Sequence, residues 1–122
     1  ALNAALGYSQ ILKLKFFTNK KIRLYKSYKE KFSKIREISI MDSPKDCESN
    51  FWLQTMILSN EAKKLKTKII NDCHKSGIKV RPLWDIIPTL KMYKNCPRMN
   101  LDNSKKAYGS IINLPSSSSI IK

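Results

Sequence analysis

Residues 50–84 read NFWLQTMILSNEAKKLKTKIINDCHKSGIKVRPLW, and this stretch decides the fold that the sequence predicts. The run at residues 51–58 is apolar on both alternating faces and has the length of one strand, which favours a strand buried on both sides. Ser59 or Asn60 can cap a helix after it, and the apolar residues of this helix recur at helical spacing until Gly77 ends it. The stretch therefore predicts a strand followed by a helix.

Three further short strands are predicted around this unit. One lies at residues 78–80 and is stopped by Pro82, because proline lacks the backbone N–H that a sheet needs. A second is predicted at residues 37–41, whose side chains alternate between apolar and polar, close enough in the chain to pair with the first strand as an antiparallel hairpin. A third, brief strand is predicted at residues 111–112. The strands together predict a small mixed or antiparallel sheet.

The N-terminal third of the chain predicts one long helix over residues 1–34. It contains no proline and only one glycine, and its apolar residues fall near one stripe. Roughly thirty residues span about 45 Å, more than a small domain needs, so this helix is of the kind that connects two bodies. Residues 35–115 then form an α/β small domain, and residues 116–122 form a flexible tail. Asp102 or Asn103 can cap the last helix of this domain, which runs through about Tyr108 and is ended by Gly109. The fold class is α+β, with the sheet backed by helices.

Composition indicates a single domain and excludes several classes of protein. A chain of 122 residues with 42% hydrophobic residues can bury a core, and it contains neither a membrane-length apolar run nor a secretory signal, so the cytoplasm is the expected compartment. The three cysteines form no C-x-x-C pair, which favours reduced thiols. With one histidine in the chain, no metal site is expected.

The net charge of +15 is open to two interpretations. A basic binding module for nucleic acid or an anionic surface would use its lysines as phosphate contacts and Tyr25 and Tyr28 as stacking platforms. Alternatively, the lysines fill solvated helix faces in a sequence of AT-rich codon bias. The second is favoured, because the basic residues surround the helix and both tyrosines fall on its apolar stripe.

Five short segments carry a resemblance to a known family. They occur in the order LNAALG, NFWL, GIKVRPLW, MYKNCPR and INLPSS, at residues 2–7, 50–53, 77–84, 92–98 and 112–117. In this order they resemble the C-terminal, small domain of the DegT/DnrJ/EryC1/StrS family of pyridoxal-phosphate-dependent sugar-nucleotide aminotransferases of fold type I. The branch that aminates 4-keto-hexoses on nucleotide carriers for bacterial surface sugars is the most similar.

The resemblance implies that the reactive centre lies outside this chain. In the family the cofactor, pyridoxal 5′-phosphate, is held as an imine on a lysine of the large domain, and no lysine here falls in a matching motif. No catalytic residue is therefore assigned, no cofactor is expected on this chain alone, and the chain is expected not to transaminate unaided. Expected partners are the large domain or a second protomer, including a homodimer, and a nucleotide-sugar substrate in the full enzyme. A structural role, with the orphaned domain pairing through apolar surface, is a further alternative.

The resemblance also implies that this domain forms a wall of the substrate site. Arg81 is a forked cation suited to phosphate or sugar oxygens, and Trp84 offers a flat apolar face for a hexose or base. Ser116 and Ser117 can donate hydroxyl hydrogen bonds. The competing interpretations are a salt bridge from Arg81 to Asp85, core packing for the tryptophan and a plain turn for the serines.

Overall fold

The computed structural model describes residues 1–121, which form four α-helices and one four-stranded sheet. Lys122, the last residue of the predicted tail, lies outside the described residues. The elements are α1 (Leu2–Ile11), α2 (Leu14–Phe32), β1 (Ile38–Ile40), β2 (Gln54–Leu58), α3 (Lys66–Lys75), β3 (Arg81–Pro82), α4 (Asp102–Ser110) and β4 (Ile111–Leu114). Short 3-10 helices occupy Lys63–Leu65, Ile87–Thr89 and Lys91–Tyr93. The predicted α+β class is confirmed.

The strands are arranged in the order β1-β2-β4-β3, and every pair is antiparallel. Met56 of β2 lies opposite Ile40 on one side and Ile112 on the other, and Ile112 in turn lies opposite Pro82. The hairpin pairing predicted between β1 and β2 is confirmed. The brief strand predicted at residues 111–112 is in fact four residues long and occupies an interior position in the sheet.

The hydrophobic core lies on one face of this sheet. Alternate residues of β2 are buried, as the period of two for side chains in a strand requires. Ile112 has no solvent exposure and Val80 retains 2%. The buried cluster contains Met56, Leu58, Ala62, Val80 and Ile112, and the side chains packed on it from α2 and α3 are Phe32, Ile69, Ile70 and Cys73. These two helices therefore cover the core face.

The single helix predicted for residues 1–34 is interrupted after Ile11. At the break, the N–H of Lys13 donates to the carbonyl oxygen of Gln10, three residues back, instead of four. This tighter bond takes Lys13 out of α-helical geometry, with φ −103° and ψ 2°, and α2 begins at Leu14. No residue of α1 is buried, whereas α2 buries two, so only the second helix is packed on the rest of the described chain.

Two strand boundaries differ from those predicted. The run at residues 51–58 forms a strand only from Gln54, and Phe51 before it adopts φ 48°, a left-handed conformation outside the β region. The strand expected at residues 78–80 forms instead at Arg81–Pro82, so Pro82 belongs to the strand that it was expected to stop. β3 is an edge strand, and an edge strand accepts proline because one of its sides bonds to no neighbour.

The helix signals are partly confirmed. Ser59 Oγ accepts the N–H of Ala62, but neither Ser59 nor Asn60 caps a helix, because the 3-10 helix begins at Lys63 and α3 begins only at Lys66, both without a side-chain cap. Gly77 follows α3 with φ 75°, the left-handed conformation typical of a glycine after a helix. Gly109 was expected to end the last helix, which instead continues to Ser110. Within residues 1–121, no helix is long and apolar enough to cross a membrane.

Candidate binding cleft

A cleft of about 440 Å³ lies beside the ends of β3 and β4 and the segment that follows each strand. We call it the binding cleft. Three chain segments that are distant in sequence form its walls, one before β2, one around β3 and one after β4. The side chains that give it its chemical character are Trp52, Lys79, Arg81, Trp84, Ser116 and Ser117.

One wall of the cleft is aromatic. Trp52 and Trp84 have ring centroids 6.4 Å apart and planes tilted by 39°. They are 65% and 67% exposed, although indole rings are usually among the more buried side chains. Core packing as an explanation for Trp84 is therefore wrong. Two exposed aromatic faces beside each other can pack against a planar base or the apolar face of a sugar ring.

A second wall is basic. Arg81 lies opposite Asn113 in the antiparallel register, so the two side chains share one face of the sheet. Lys79 lies on the same rim, and the described residues that line the cleft include no carboxylate. The salt bridge considered for Arg81 does not form, because within residues 1–121 Asp85 pairs instead with the hydroxyl of Tyr108, which donates at 3.0 Å. These cations therefore favour an anionic ligand.

The third wall consists of the serine segment. Ser116 is half-buried, whereas Ser117 is exposed. The hydroxyl of Ser117 lies 2.8 Å from that of Ser119 and accepts the Ser119 N–H at 3.3 Å. Ser117 therefore forms a local turn, as one interpretation of the sequence proposed, while it lines the cleft. Hydroxyls in this position can bond to an oxygen-rich ligand.

The four candidate residues named from the sequence all line this cleft; they are Arg81, Trp84, Ser116 and Ser117. Sequence reasoning missed three others, Trp52, Lys79 and Asn113. The signal for Lys79 was available, since alternation along an extended chain places residues 79 and 81 on the same side. Trp52 carried no such signal, because it lay in a run that predicted a buried strand. Asn113 lies in a strand whose length and interior position the sequence did not indicate.

Comparison with known proteins identifies the relatives of this chain. The sequence profile described as the DegT/DnrJ/EryC1/StrS aminotransferase family matches residues 1–122. No protein of curated function gives a significant match. Among solved structures, PseC of Helicobacter pylori, an aminotransferase involved in the biosynthesis of pseudoaminic acid, is 22% identical with a TM-score of 0.84, and the match covers 93% of this chain.

Two further solved structures are similar. DesI, determined in the presence of its TDP-sugar product, is 14% identical with a TM-score of 0.86, and the match covers 95% of this chain. The Spr1654 protein of Streptococcus pneumoniae in its apo-form is 22% identical with a TM-score of 0.80, and the match again covers 95% of this chain. At these identities the likeness shows the fold. This chain spans 31% of the PseC chain and 30% of each of the other two.

Proposed function

Because the chain belongs to the DegT/DnrJ/EryC1/StrS aminotransferase family, we propose that it is the small, C-terminal domain of an enzyme that aminates a keto-sugar nucleotide. The binding cleft is proposed to be the part of the substrate site that this domain contributes. The ligand of the cleft is proposed to be the nucleotide end of that substrate. The enzyme is proposed to act in the cytoplasm, in the biosynthesis of bacterial surface polysaccharides or amino sugars. The proposal is supported by the order of the five family segments and by the share of its structural relatives that the chain spans.

The observation that carries the proposal is the combination of chemical groups in the cleft. A nucleotide sugar presents a planar base, a diphosphate and a ring of hydroxyls. The cleft offers exposed indoles, two cations without a competing carboxylate, and serine hydroxyls. Arg81 is suited to the diphosphate, because a guanidinium binds phosphate oxygens in a bidentate manner. Each part of the ligand therefore meets a wall of matching chemistry.

The same cleft does not fit pyridoxal 5′-phosphate. An aminotransferase supplies an amine for the imine and a carboxylate to hold the proton on the pyridine nitrogen. Lys79 is the lysine that lines the cleft within the described residues, and no carboxylate lies beside it there. Spr1654 has been solved in a PLP-form and in a PMP-form. For the enzyme to which this chain belongs, we propose that a large domain binds the cofactor, and that the chain alone does not transaminate.

The exposed helix α1 supports a proposal about partners. It carries large uncovered apolar side chains that are distributed around the helix, and the segment that joins it to α2 carries more of them. Their exposure is 83% for Leu2, 60% for Leu6, 66% for Ile11, 68% for Leu12 and 58% for Leu14. We propose that this apolar surface packs against the large domain or a second protomer. Sedimentation of the chain alone tests whether this surface associates with a second copy, since uncovered apolar surface favours a concentration-dependent dimer.

Fluorescence provides a direct test of ligand binding, because both tryptophans of the chain line the cleft. Titration with a UDP-sugar or TDP-sugar is expected to change the intrinsic emission saturably, with a Kd below about 1 mM. Inorganic diphosphate and the free sugar are expected to bind more weakly, because each meets only part of the cleft. The proposal fails if nucleotide sugars leave the emission unchanged.

A second arm separates the proposal from non-specific attraction to a +15 protein. A random single-stranded oligonucleotide at equal phosphate concentration is the comparison, and both titrations are repeated at moderate salt. Binding through phosphates alone falls steeply with salt, whereas contacts to the base and sugar are retained. Tight oligonucleotide binding that survives moderate salt would favour a nucleic-acid module instead. The burial of Tyr25, which is 6% exposed, already removes one of the stacking platforms that such a module needs.

A further inference from the structure

Lys21 of α2 connects two walls of the binding cleft from behind. Its Nζ donates to the carbonyl oxygen of Ser116 at 2.6 Å and to the carbonyl oxygen of Trp52 at 3.2 Å. The two acceptors are 95 and 31 residues away in the chain. Both acceptor residues line the cleft, whereas Lys21 does not. One ammonium group thus bonds to the backbone of the aromatic wall and to that of the serine wall.

Neighbouring bonds attach the same helix to the same segments. The hydroxyl of Tyr28, two turns further along α2, donates to the carbonyl oxygen of Pro115 at 3.0 Å. Nε2 of Gln54, which is 1% exposed, donates to the backbone carbonyl oxygen of Lys21 at 3.2 Å. Lys21 is therefore held on both its backbone and its side chain. Partial burial lowers the pKa of its ammonium group, which is the effect expected of a cation turned away from bulk water.

We propose that Lys21 is a positioning residue, which holds the Trp52 wall and the serine wall at a fixed separation and thereby sets the affinity of the cleft for a nucleoside diphosphate. The effect on affinity rests on the proposed function, whereas the positioning of the two walls does not. Lysine suits the task because its ammonium offers three donors and no acceptor, so it can bridge two carbonyl oxygens at once. Without it, both carbonyls lose a charge-assisted bond and the two walls are free to separate.

The test compares Lys21→Met with Lys20→Met in the full chain. Both variants remove one charge from the same helix, but the ammonium of Lys20 lies over the ring of Phe16, 5.1 Å from its centroid, and not behind the cleft. Lys21→Arg keeps donors that can bridge both carbonyls and serves as the rescue variant. Three properties are measured for each variant. They are the NMR signals of the Trp52 indole N–H and the Ser117 amide without ligand, the affinity for UDP, and the urea unfolding curve.

Lys21→Met is expected to shift the two signals and to weaken UDP binding about tenfold, which corresponds to about 1.4 kcal/mol. Lys20→Met is expected to do neither, and Lys21→Arg is expected to restore both. If Lys21→Met changes the two signals and the affinity no more than Lys20→Met does, the positioning role is refuted, even if the unfolding curve of Lys21→Met shifts. If the signals shift but the unmodified chain binds no UDP, the positioning of the walls stands and the proposed function fails.

A second variant keeps the test decisive if Lys21→Met does not fold. Tyr28→Phe removes only the hydroxyl that bonds to Pro115. It is expected to shift the amide signals of Ser116 and Ser117, which follow that carbonyl, while the indole signal of Trp52 stays in place. Unchanged serine signals in Tyr28→Phe would refute the idea that α2 holds this segment.

Discussion

Replacing Arg81 with glutamine provides the sharpest test of the binding cleft. The guanidinium forms no ion pair within the described residues, so its donors remain available to a ligand. A hydrogen bond to a charged group contributes about 1.5–3 kcal/mol. Because the cleft is open to water, we use the lower end of that range, which corresponds to about a tenfold loss of affinity for UDP. Tryptophan fluorescence measures this loss directly.

Arg36→Gln is the matched control for this prediction. Arg36 is exposed and lies just before β1, at the edge of the sheet opposite β3, yet its replacement lowers the net charge by the same amount. We expect its affinity for UDP to stay within about twofold of the unmodified chain. Both variants should keep their unfolding free energies within about 0.5 kcal/mol, as is usual for surface substitutions. Equal losses of affinity in the two variants would refute a specific cleft and favour attraction by overall charge.

The remaining predictions concern the stability of the domain. Ile112→Ala removes a fully buried side chain from the core and is expected to lower the unfolding free energy by about 2–5 kcal/mol in urea titrations. Ile87→Ala, at a position that is 62% exposed, should cost less than about 1 kcal/mol, and equal costs would contradict the assigned core. The bond from Lys29 lowers the pKa of Asp42 from 3.8 to about 2. Since the pKa of Asp42 is lower in the folded state, the stabilisation is present above pH 3.8 and is lost as the pH falls through about 2. Asp42→Asn should therefore reduce the dependence of the unfolding free energy on pH at the acid end. An unchanged dependence there would contradict the pairing with Lys29.

Local signals predicted most elements of the fold but not their limits. Gly77 ends α3 because a glycine adopts the left-handed conformation at little cost, and this holds whatever surrounds it. Pro82 was misjudged for the opposite reason. Whether a proline stops a strand depends on whether its missing N–H was needed, and that depends on the position of the strand in the sheet. The break at Lys13 also escaped prediction, since neither proline nor glycine marks it.

The cleft was predicted in part. Arg81 and Trp84 were nominated because the family resemblance implied a wall of the substrate site here, and because a forked cation and an indole suit phosphate and sugar. Trp52 was not nominated, because its exposure results from the turn at Phe51, where φ is 48°. Lys21 looked like one more lysine on a solvated helix face. Only its two bonds to distant carbonyls distinguish it from Lys20.

The sequence by itself determined where most helices and strands lie, and its family segments in their order identified the family to which the chain belongs. Helices and strands follow from residues within a few positions of each other, where periodicity and capping act. The tertiary structure decided that β4 lies between β2 and β3, and with it the assembly of the cleft from segments near residues 52, 81 and 116. This strand order depends on the burial of Ile112 among residues that are distant from it in the sequence. The free energy of that burial does not come from the short-range pattern of any one segment.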